Sequence, residues 1–340
     1  MKTRAAMLDS FLTQAGWGAA RYSPLAGDAS KRRYDRLTGK AGARAILMDA
    51  PPETGEDVRP FARIARHLLG LGLSAPQIMA QDDTRGFLLL EDLGDDLFAR
   101  LMETDPVLEP QLYAAAVDVL THLHKTTPPP LPIFDATQAA EWIAPAFDWY
   151  QFGATGAVDM AAKARVRGIL RALLEPLDAQ PRVLIQRDYH SENLLWLPDR
   201  DGPACVGLLD FQDALQGHRA YDLVSLLQDA RRDVSSDMEA TMIHRYLEQT
   251  GQDAETFRTA YAVLGTQRNL RIIGIFARLC LRDGKAHYID MIPRVWRHIE
   301  RNLNHPALHE LAVEIAQTLP RPAADILTEL REQCATCPNR

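Results

Sequence analysis

Residues 186–193 of the chain read QRDYHSEN, and residues 208–211 read LLDF. Phosphoryl transfer needs a carboxylate that positions and deprotonates the acceptor hydroxyl, and oxygen ligands that hold Mg²⁺ on the nucleotide phosphates. Asp188 meets the first need, Asn193 offers an amide oxygen for the second, and Asp210 adds the anionic ligand that Mg²⁺ prefers. Alone, this spacing is more typical of loop caps and a strand-end turn. Together with the order of the surrounding elements, it favours a phosphate-transferring enzyme.

The elements around these stretches predict two lobes, as the length of 340 residues also does. Upstream, short strands accompany one amphipathic helix at residues 57–69, and the turn-like segment 91–95 ends this part. Downstream, helical periodicity dominates, apart from a small strand cluster within residues 182–209. We therefore predict an α+β, bilobal fold, with a small β-rich N-lobe at residues 1–92 and a larger, mostly helical C-lobe at residues 93–340.

The composition excludes several classes of protein. The chain is 46% hydrophobic and 24% charged, with 38 basic against 45 acidic side chains and a net charge of −7. A nucleic-acid binder usually needs a basic surplus, and no apolar run approaches the ~20 residues that span a bilayer. Asp9 interrupts the N-terminal apolar stretch too early for a signal peptide, and four cysteines are too few for a disulfide scaffold. We expect a cytoplasmic protein with no nucleic-acid, membrane or obligate protein partner.

The chain resembles a known family along nearly its whole length. Residues 186–193 and 209–214 are similar to the catalytic loop and the metal-binding segment of aminoglycoside phosphotransferases and choline kinases, which are relatives of protein kinases. Other stretches are similar to bacterial cell-wall sugar kinases, which phosphorylate the anomeric hydroxyl of N-acetylmuramate and N-acetylglucosamine. These stretches are 27–30 with Arg32, Tyr34 and Arg36, then 48–53, 90–94, 267–269, 274–279 and 282–285. The resemblance implies a protein-kinase-like fold, ATP and Mg²⁺ as cofactors, a small-molecule sugar substrate and a role in peptidoglycan recycling.

The same resemblance implies roles for individual residues. Asp188 would be the catalytic base that takes the proton from the sugar hydroxyl, and Asn193 and Asp210 would hold Mg²⁺. Glu91 and Leu93 would offer backbone groups to the adenine of ATP. A hairpin tip over the phosphates needs small residues, because low bulk lets backbone N–H groups approach anionic oxygens. Its expected members are Gly27, Ala29 and Ser30.

One family feature is missing from the third strand. Kinases place a lysine there that pairs with the α- and β-phosphates, whereas residues 45–48 end in Met48 with no lysine nearby. Strand alternation puts Arg32, Tyr34 and Arg36 on one face of the preceding strand. We expect that face to meet the nucleotide, with Arg32 nearest the phosphates. A guanidinium can bond two phosphate oxygens at once, so the exchange is chemically sound.

Acceptor-binding residues are predicted in the helical part of the chain. Polar residues at 267–271 share a long helix, and of these Arg268 and Asn269 could bind sugar hydroxyls or the lactyl carboxylate of muramate. A salt-bridged helix face is the alternative. Trp149 and Tyr150 could stack on a sugar, although packing between helices is more typical of such aromatic clusters.

Two other functions stay open on the sequence. A related phosphotransferase could act on an aminoglycoside, a choline-like amine or another metabolite, and an aminoglycoside site would need many carboxylates facing a polycation. A pseudokinase that only binds nucleotide is supported by the missing lysine, but Asp188, Asn193 and Asp210 together argue against it. At the catalytic loop itself, Asp222 is expected to brace the backbone and His190 is expected to face solvent.

Overall fold

The computed structural model describes residues 3–25 and 31–338. Its strands are Arg21–Pro24 (β1), Arg33–Thr38 (β2), Arg44–Asp49 (β3), Ile78–Asp82 (β4), Phe87–Glu91 (β5), Val183–Ile185 (β6), Leu194–Trp196 (β7), Val206–Leu208 (β8) and Leu215–Gly217 (β9). Its α-helices are Arg4–Gln14 (α1), Arg59–Gly70 (α2), Phe98–Thr104 (α3), Glu109–Leu123 (α4), Ala136–Glu141 (α5), Phe152–Thr155 (α6), Met160–Asp178 (α7), Ala220–Leu227 (α8), Ser236–Thr250 (α9), Ala254–Leu281 (α10), Ile292–Leu303 (α11), His309–Thr318 (α12) and Ala324–Glu332 (α13). A π-helical segment covers Ala146–Gln151.

A five-stranded antiparallel sheet occupies the N-terminal part of the chain, in the order β1-β2-β3-β5-β4. Successive side chains alternate between its two faces. One face buries Leu37 and Leu47 in a core shared with α1. The opposite face carries Tyr34 of β2 and its cross-strand neighbour Met48 of β3. The strand position that lacks a lysine therefore lies beside Tyr34, on the face opposite α1.

Two short antiparallel ladders flank residues 186–193 and 208–211. β6 pairs with β9, and β7 pairs with β8. Residues 186–193 connect β6 to β7, and residues 208–211 begin on the last residue of β8. Both segments therefore begin at the end of a strand. The backbone hydrogen bonds of the strand pair fix the position from which each loop starts.

The C-terminal part is largely helical and is organised around α10, which is 28 residues long. Residues 260–270 of this helix are buried on every side, because α8, α11 and the π-helical segment pack around it. Gly274 permits the closest of these approaches, since a Cβ there would lie 2.0 Å from the carbonyl carbon of Pro145. The antiparallel sheet and the helical C-terminal part confirm the predicted α+β class. Every helix within residues 3–25 and 31–338 is too short or too polar to cross a lipid bilayer.

The chain divides into two compact units. The first comprises Met1–Val119 with Ser191–Ala214, and the second comprises Leu120–His190 with Leu215–Arg340. The second unit contains the predicted base and the predicted acceptor residues, and the first contains the predicted nucleotide and metal residues. The lobe limits at residues 92 and 93 stay a prediction.

Candidate active site

Asp188 lies in the loop that follows β6, and buried partners on α8 hold the backbone of this loop. Both oxygens of the Asp222 carboxylate accept backbone N–H groups, from Gln186 at 2.6 Å and from Arg187 at 2.9 Å. Ser225, on the same helix, donates its hydroxyl to the Arg187 carbonyl oxygen at 3.1 Å. α8 therefore fixes the peptide units on both sides of Arg187, and the predicted brace by Asp222 is confirmed.

The brace supports an uncommon backbone conformation. Arg187 has a φ of 75°, in the left-handed region, where a non-glycine residue costs about 1–3 kcal/mol and persists only when its surroundings hold it. Burial raises the pKa of the Asp222 carboxyl to about 7, while its backbone N–H bonds lower it and the charge of Asp188 raises it. Asp222 is 0% exposed, so it acts on the loop and has no access to a substrate.

Three arginines, which we call the arginine cluster, lie near this loop: Arg187, Arg268 and Arg271. Arg268 is 7% exposed and donates from Nη2 to the Ser225 hydroxyl at 2.7 Å. The guanidinium carbons of Arg187 and Arg271 lie over the ring of Trp142, at 5.0 and 4.1 Å from its centroid. A guanidinium stacked on an aromatic face keeps the N–H groups of its edge available for a further partner.

One buried hydroxyl is influenced by all of these charges. Burial raises the pKa of Tyr221, the three members of the arginine cluster lower it, and Asp188 raises it. Coulombic interactions weaken with distance. The predicted base and the arginine cluster therefore share one region of the second unit.

His190 is buried, with 6% exposure, so the expectation that it faces solvent was wrong. The segment that follows α8 covers it, and Arg231 Nη1 lies 3.4 Å from its Nε2. Burial lowers the pKa of His190 to about 4. The imidazole is therefore neutral at pH 7 and adds no cation to the loop.

The predicted metal ligands Asn193 and Asp210 meet at one end of the β7–β8 ladder in the first unit. The Leu209 N–H donates to the Asn193 carbonyl oxygen at 3.0 Å, and Asp210 follows with a φ of 57°. Gln212 donates its side-chain amide to Asp210 Oδ1 at 2.6 Å. Phe211 is 0% exposed and packs against α2, which anchors the segment.

The chemistry of these two side chains fits a magnesium ion shared with a nucleotide. One carboxylate and one amide offer hard oxygen donors, and Mg²⁺ commonly takes one or two protein ligands and completes its shell with water and phosphate oxygens. Within the described residues, no group of three or more His, Cys, Asp or Glu side chains could hold a metal. The donor set therefore suits a metal that arrives with nucleotide phosphates.

Arg32 precedes β2 and forms an ion pair with Glu56. Its Nε lies 2.7 Å from Glu56 Oε2, and the two side chains are 14% and 15% exposed. The other carboxylate oxygen accepts the backbone N–H of Lys31 at 3.3 Å. Glu56 therefore holds both the side chain and the backbone at the start of β2. The predicted hairpin tip lies outside the described residues, namely Gly27, Ala29 and Ser30.

Glu91 and Leu93, the predicted adenine residues, lie at the end of β5 and just after it. The Glu91 carboxylate accepts from Arg200 Nη2 at 2.5 Å and from the Gln77 backbone N–H at 3.2 Å. Leu93 packs towards β8, where a Cβ on Gly207 would lie 3.2 Å from its Cδ1. The side chain of Glu91 therefore has structural partners. The backbone contacts to adenine stay a prediction.

The predicted acceptor residues lie mostly in the interior of the second unit. Arg268 is hydrogen-bonded to Ser225, which contacts the loop of Asp188. Asn269 is 0% exposed and donates to Gln228 Oε1 at 2.7 Å. Tyr150 is 0% exposed and donates to a backbone carbonyl near the C-terminus, and Trp149 is 8% exposed. Sugar binding by these four residues stays a prediction.

Sequence reasoning missed two features, one in each unit. It gave no role to Glu56, because a partner 24 positions from Arg32 leaves no local pattern. It also did not predict that Arg271 stacks on Trp142. Arg271 was assigned only to a polar helix turn and Trp142 only to an aromatic cluster, because 129 positions separate the two residues. The long helix itself was the one usable signal, because a polar turn on an otherwise apolar helix marks a buried network or a site.

Comparison with known proteins places these features in a family context. A family model described as the phosphotransferase enzyme family, APH, matches residues 21–260. An N-acetylmuramate/N-acetylglucosamine kinase of Caulobacter vibrioides is 38% identical, over 93% of this chain and 97% of its own length. A protein of the same name from Pseudomonas aeruginosa is 36% identical, over 93% of this chain and 96% of its own length.

Solved structures share the fold at low identity. A choline/ethanolamine kinase family protein of Mesorhizobium loti has a TM-score of 0.62 at 13% identity, covering 97% of this chain and 100% of its own. A choline kinase of Streptococcus pneumoniae has a TM-score of 0.60 at 14% identity, covering 87% and 99%. At such identities the likeness shows the fold alone, and it confirms the protein-kinase-like class.

Proposed function

The chain belongs to the phosphotransferase enzyme family, and from this premise we propose that it transfers the γ-phosphate of ATP to the anomeric hydroxyl of N-acetylmuramate and N-acetylglucosamine. The observation that supports these two substrates is the similarity to the N-acetylmuramate/N-acetylglucosamine kinase of Caulobacter vibrioides. The two chains are 38% identical over 97% of the relative's length. Phosphorylation of these two sugars is a step in peptidoglycan recycling. ATP is the phosphate donor expected of a kinase in this family.

Asp188 is the base in this proposal. Its carboxylate takes the proton of the anomeric hydroxyl while the sugar oxygen attacks the γ-phosphorus, the bond from that phosphorus to the bridging oxygen breaks, and ADP leaves. The hydrogen bonds from α8 support this role, because a base must be held in a fixed position to accept the proton during the attack. Asn193 and Asp210 would hold Mg²⁺, which when bound offsets the negative charge of the phosphates.

The charge near Asp188 favours a neutral or anionic sugar over a polycationic acceptor. The arginine cluster places three cations near the base, whereas an aminoglycoside or a choline-like amine would need anionic groups there. The same charge pattern suits N-acetylmuramate, which carries a carboxylate. A pseudokinase is disfavoured because Asp188, Asn193 and Asp210 are all present.

We predict that the product is a sugar 1-phosphate with either sugar. Purified protein with ATP and Mg²⁺ should consume ATP when given N-acetylglucosamine or N-acetylmuramate, and ³¹P–¹H correlation should place the phosphate on the anomeric oxygen. Kanamycin and choline, at equal concentrations, are the control acceptors. Phosphate on the 6-oxygen, or turnover of kanamycin without turnover of either sugar, would contradict the proposed function.

We also predict that Arg32 takes the phosphate contact of the missing lysine. Arg32→Ala should raise the KM for ATP or lower kcat at least tenfold, about 1.4 kcal/mol of lost transition-state binding. Arg33→Ala is the matched control, because that neighbouring side chain is 62% exposed and its effect should be small. Glu56→Gln keeps the guanidinium but removes its anionic partner, so its effect should lie between the two. Steady-state kinetics at varied ATP decide this, and an Arg32→Ala enzyme with full activity would refute the assignment.

A further inference from the structure

The two proposed substrates differ at one position of the sugar ring. N-acetylmuramate carries a lactyl ether on the 3-oxygen, which ends in a carboxylate, and N-acetylglucosamine has a hydroxyl there. An enzyme that uses both must solvate that carboxylate in one complex and tolerate its absence in the other. A fixed cation beside the acceptor site would meet both demands, provided that it needs no internal partner.

Arg271 has the position that this role requires. It lies on α10 with its guanidinium carbon 4.1 Å from the Trp142 ring centroid, and Arg187, the neighbour of Asp188 in the chain, lies over the same ring. Stacking fixes the guanidinium plane and restricts its motion, so less entropy is lost when a ligand binds its edge. Arg271 is also among the groups that act on Tyr221 together with Asp188. The side chain is therefore rigidly held in the region of the proposed base.

The Arg271 guanidinium has no directly bonded anionic partner among the residues that the structure describes. Across residues 3–25 and 31–338, its side chain has no hydrogen bond and no ion pair, whereas Arg268 on the same helix donates to Ser225. Burial lowers the pKa of Arg271, and the other two members of the arginine cluster lower it further, against the opposing effects of Tyr221 and Asp188. A partly buried cation beside two other cations is unfavourable in free energy unless an anion binds to it.

We propose that the Arg271 guanidinium, held against Trp142, binds the lactyl carboxylate of N-acetylmuramate and sets the preference of the enzyme between its two sugars. This inference rests on the proposed function and deepens it. Arg187 adds positive charge on the same ring, and the planar fork of Arg271 matches a carboxylate with two parallel hydrogen bonds. When N-acetylglucosamine is bound, water hydrogen-bonds to the Arg271 guanidinium instead. The affinity for that sugar is not lowered, because it has no carboxylate to place there.

The test compares kcat/KM for the two sugars in Arg271→Gln, Arg271→Lys and the parent protein. In Arg271→Gln, the ratio of kcat/KM for N-acetylmuramate to that for N-acetylglucosamine should fall by about 10- to 100-fold, the usual worth of hydrogen bonds to a charged group. Arg271→Lys should restore part of the ratio, since it keeps the charge but loses the fork. Arg278→Gln, two turns further along α10 and also partly buried, is the matched control and should leave the ratio unchanged.

A substrate change on the unaltered protein gives a second arm that does not depend on whether a variant folds. The carboxamide of N-acetylmuramate should be used as poorly by the parent protein as N-acetylmuramate is by Arg271→Gln. The two changes should not add when combined, because each removes the same interaction. Equal use of acid and amide by the parent protein, or an unchanged ratio in Arg271→Gln, would overturn the assignment. Absence of activity on both sugars in the parent protein would instead overturn the proposed function.

Discussion

Replacing Asp188 with Asn should lower kcat by about 10²–10⁴-fold, the usual worth of a positioned base. Asn has nearly the same shape and keeps one acceptor oxygen, but it cannot take a proton from the sugar hydroxyl. The KM for ATP should change little, because the proposed role of Asp188 involves the acceptor and not the nucleotide. Steady-state kinetics with N-acetylglucosamine, with ATP binding measured separately by calorimetry, check both parts of this prediction.

Two further variants separate the base from the metal ligands and from the general effect of an Asp→Asn change. Asp210→Ala should weaken Mg²⁺-dependent binding of ATP as well as turnover, because it removes an anionic ligand. Asp237→Asn makes the same change as Asp188→Asn on an exposed first turn of α9 and should leave kinetics unaltered. Turnover of Asp188→Asn at the parental rate would refute the proposed mechanism.

The sequence was informative about residues 186–193 and 208–211 because their chemistry is local. In both stretches the acidic or amide side chains lie within a few positions of a predicted strand. Their spacing therefore indicated which of these side chains lie in the loops that follow the strands. Their backbone conformations were not predictable in this way. Arg187 and Asp210 have left-handed φ values of 75° and 57°, although neither is a glycine. Hydrogen bonds from α8 stabilise the conformation at Arg187.

Contacts between distant segments account for most of what the sequence did not indicate. The helix α10 was recognised from its periodicity, but the sequence left open whether its polar residues at 267–271 form a substrate site or a salt-bridged face. In the structure Asn269 is 0% exposed and Arg268 is 7% exposed. Their burial depends on α8 packing against α10, which no local pattern encodes. The same holds for Glu56, whose importance to Arg32 depends on where the segment before α2 meets the start of β2.

The hydrogen bonds between α8 and the loop of Asp188 should matter for both stability and activity. Asp222→Ala should leave the N–H groups of Gln186 and Arg187 without their buried acceptor, and each unsatisfied group costs about 1–3 kcal/mol. The free energy of unfolding should therefore fall by about 2–6 kcal/mol, the sum over the two groups. Because the left-handed turn at Arg187 would lose its support, Asp188 should also move, and displacement of a reacting group by about 1 Å is worth about 10²-fold in rate.

Urea unfolding and steady-state kinetics on the same preparations measure the two effects independently. Asp253→Ala is the matched control, because that exposed carboxylate caps α10 by accepting from Thr256 N at 2.9 Å, so its loss should lower the free energy of unfolding without changing kcat. Asp222→Asn keeps one acceptor oxygen and should recover part of both losses. In Asp222→Ala, kcat should fall far more than the KM values change, since the sugar and ATP contacts remain while the base is misplaced. A variant that is destabilised as expected yet keeps the parental kcat under folding conditions would show that α8 supports the loop without positioning Asp188.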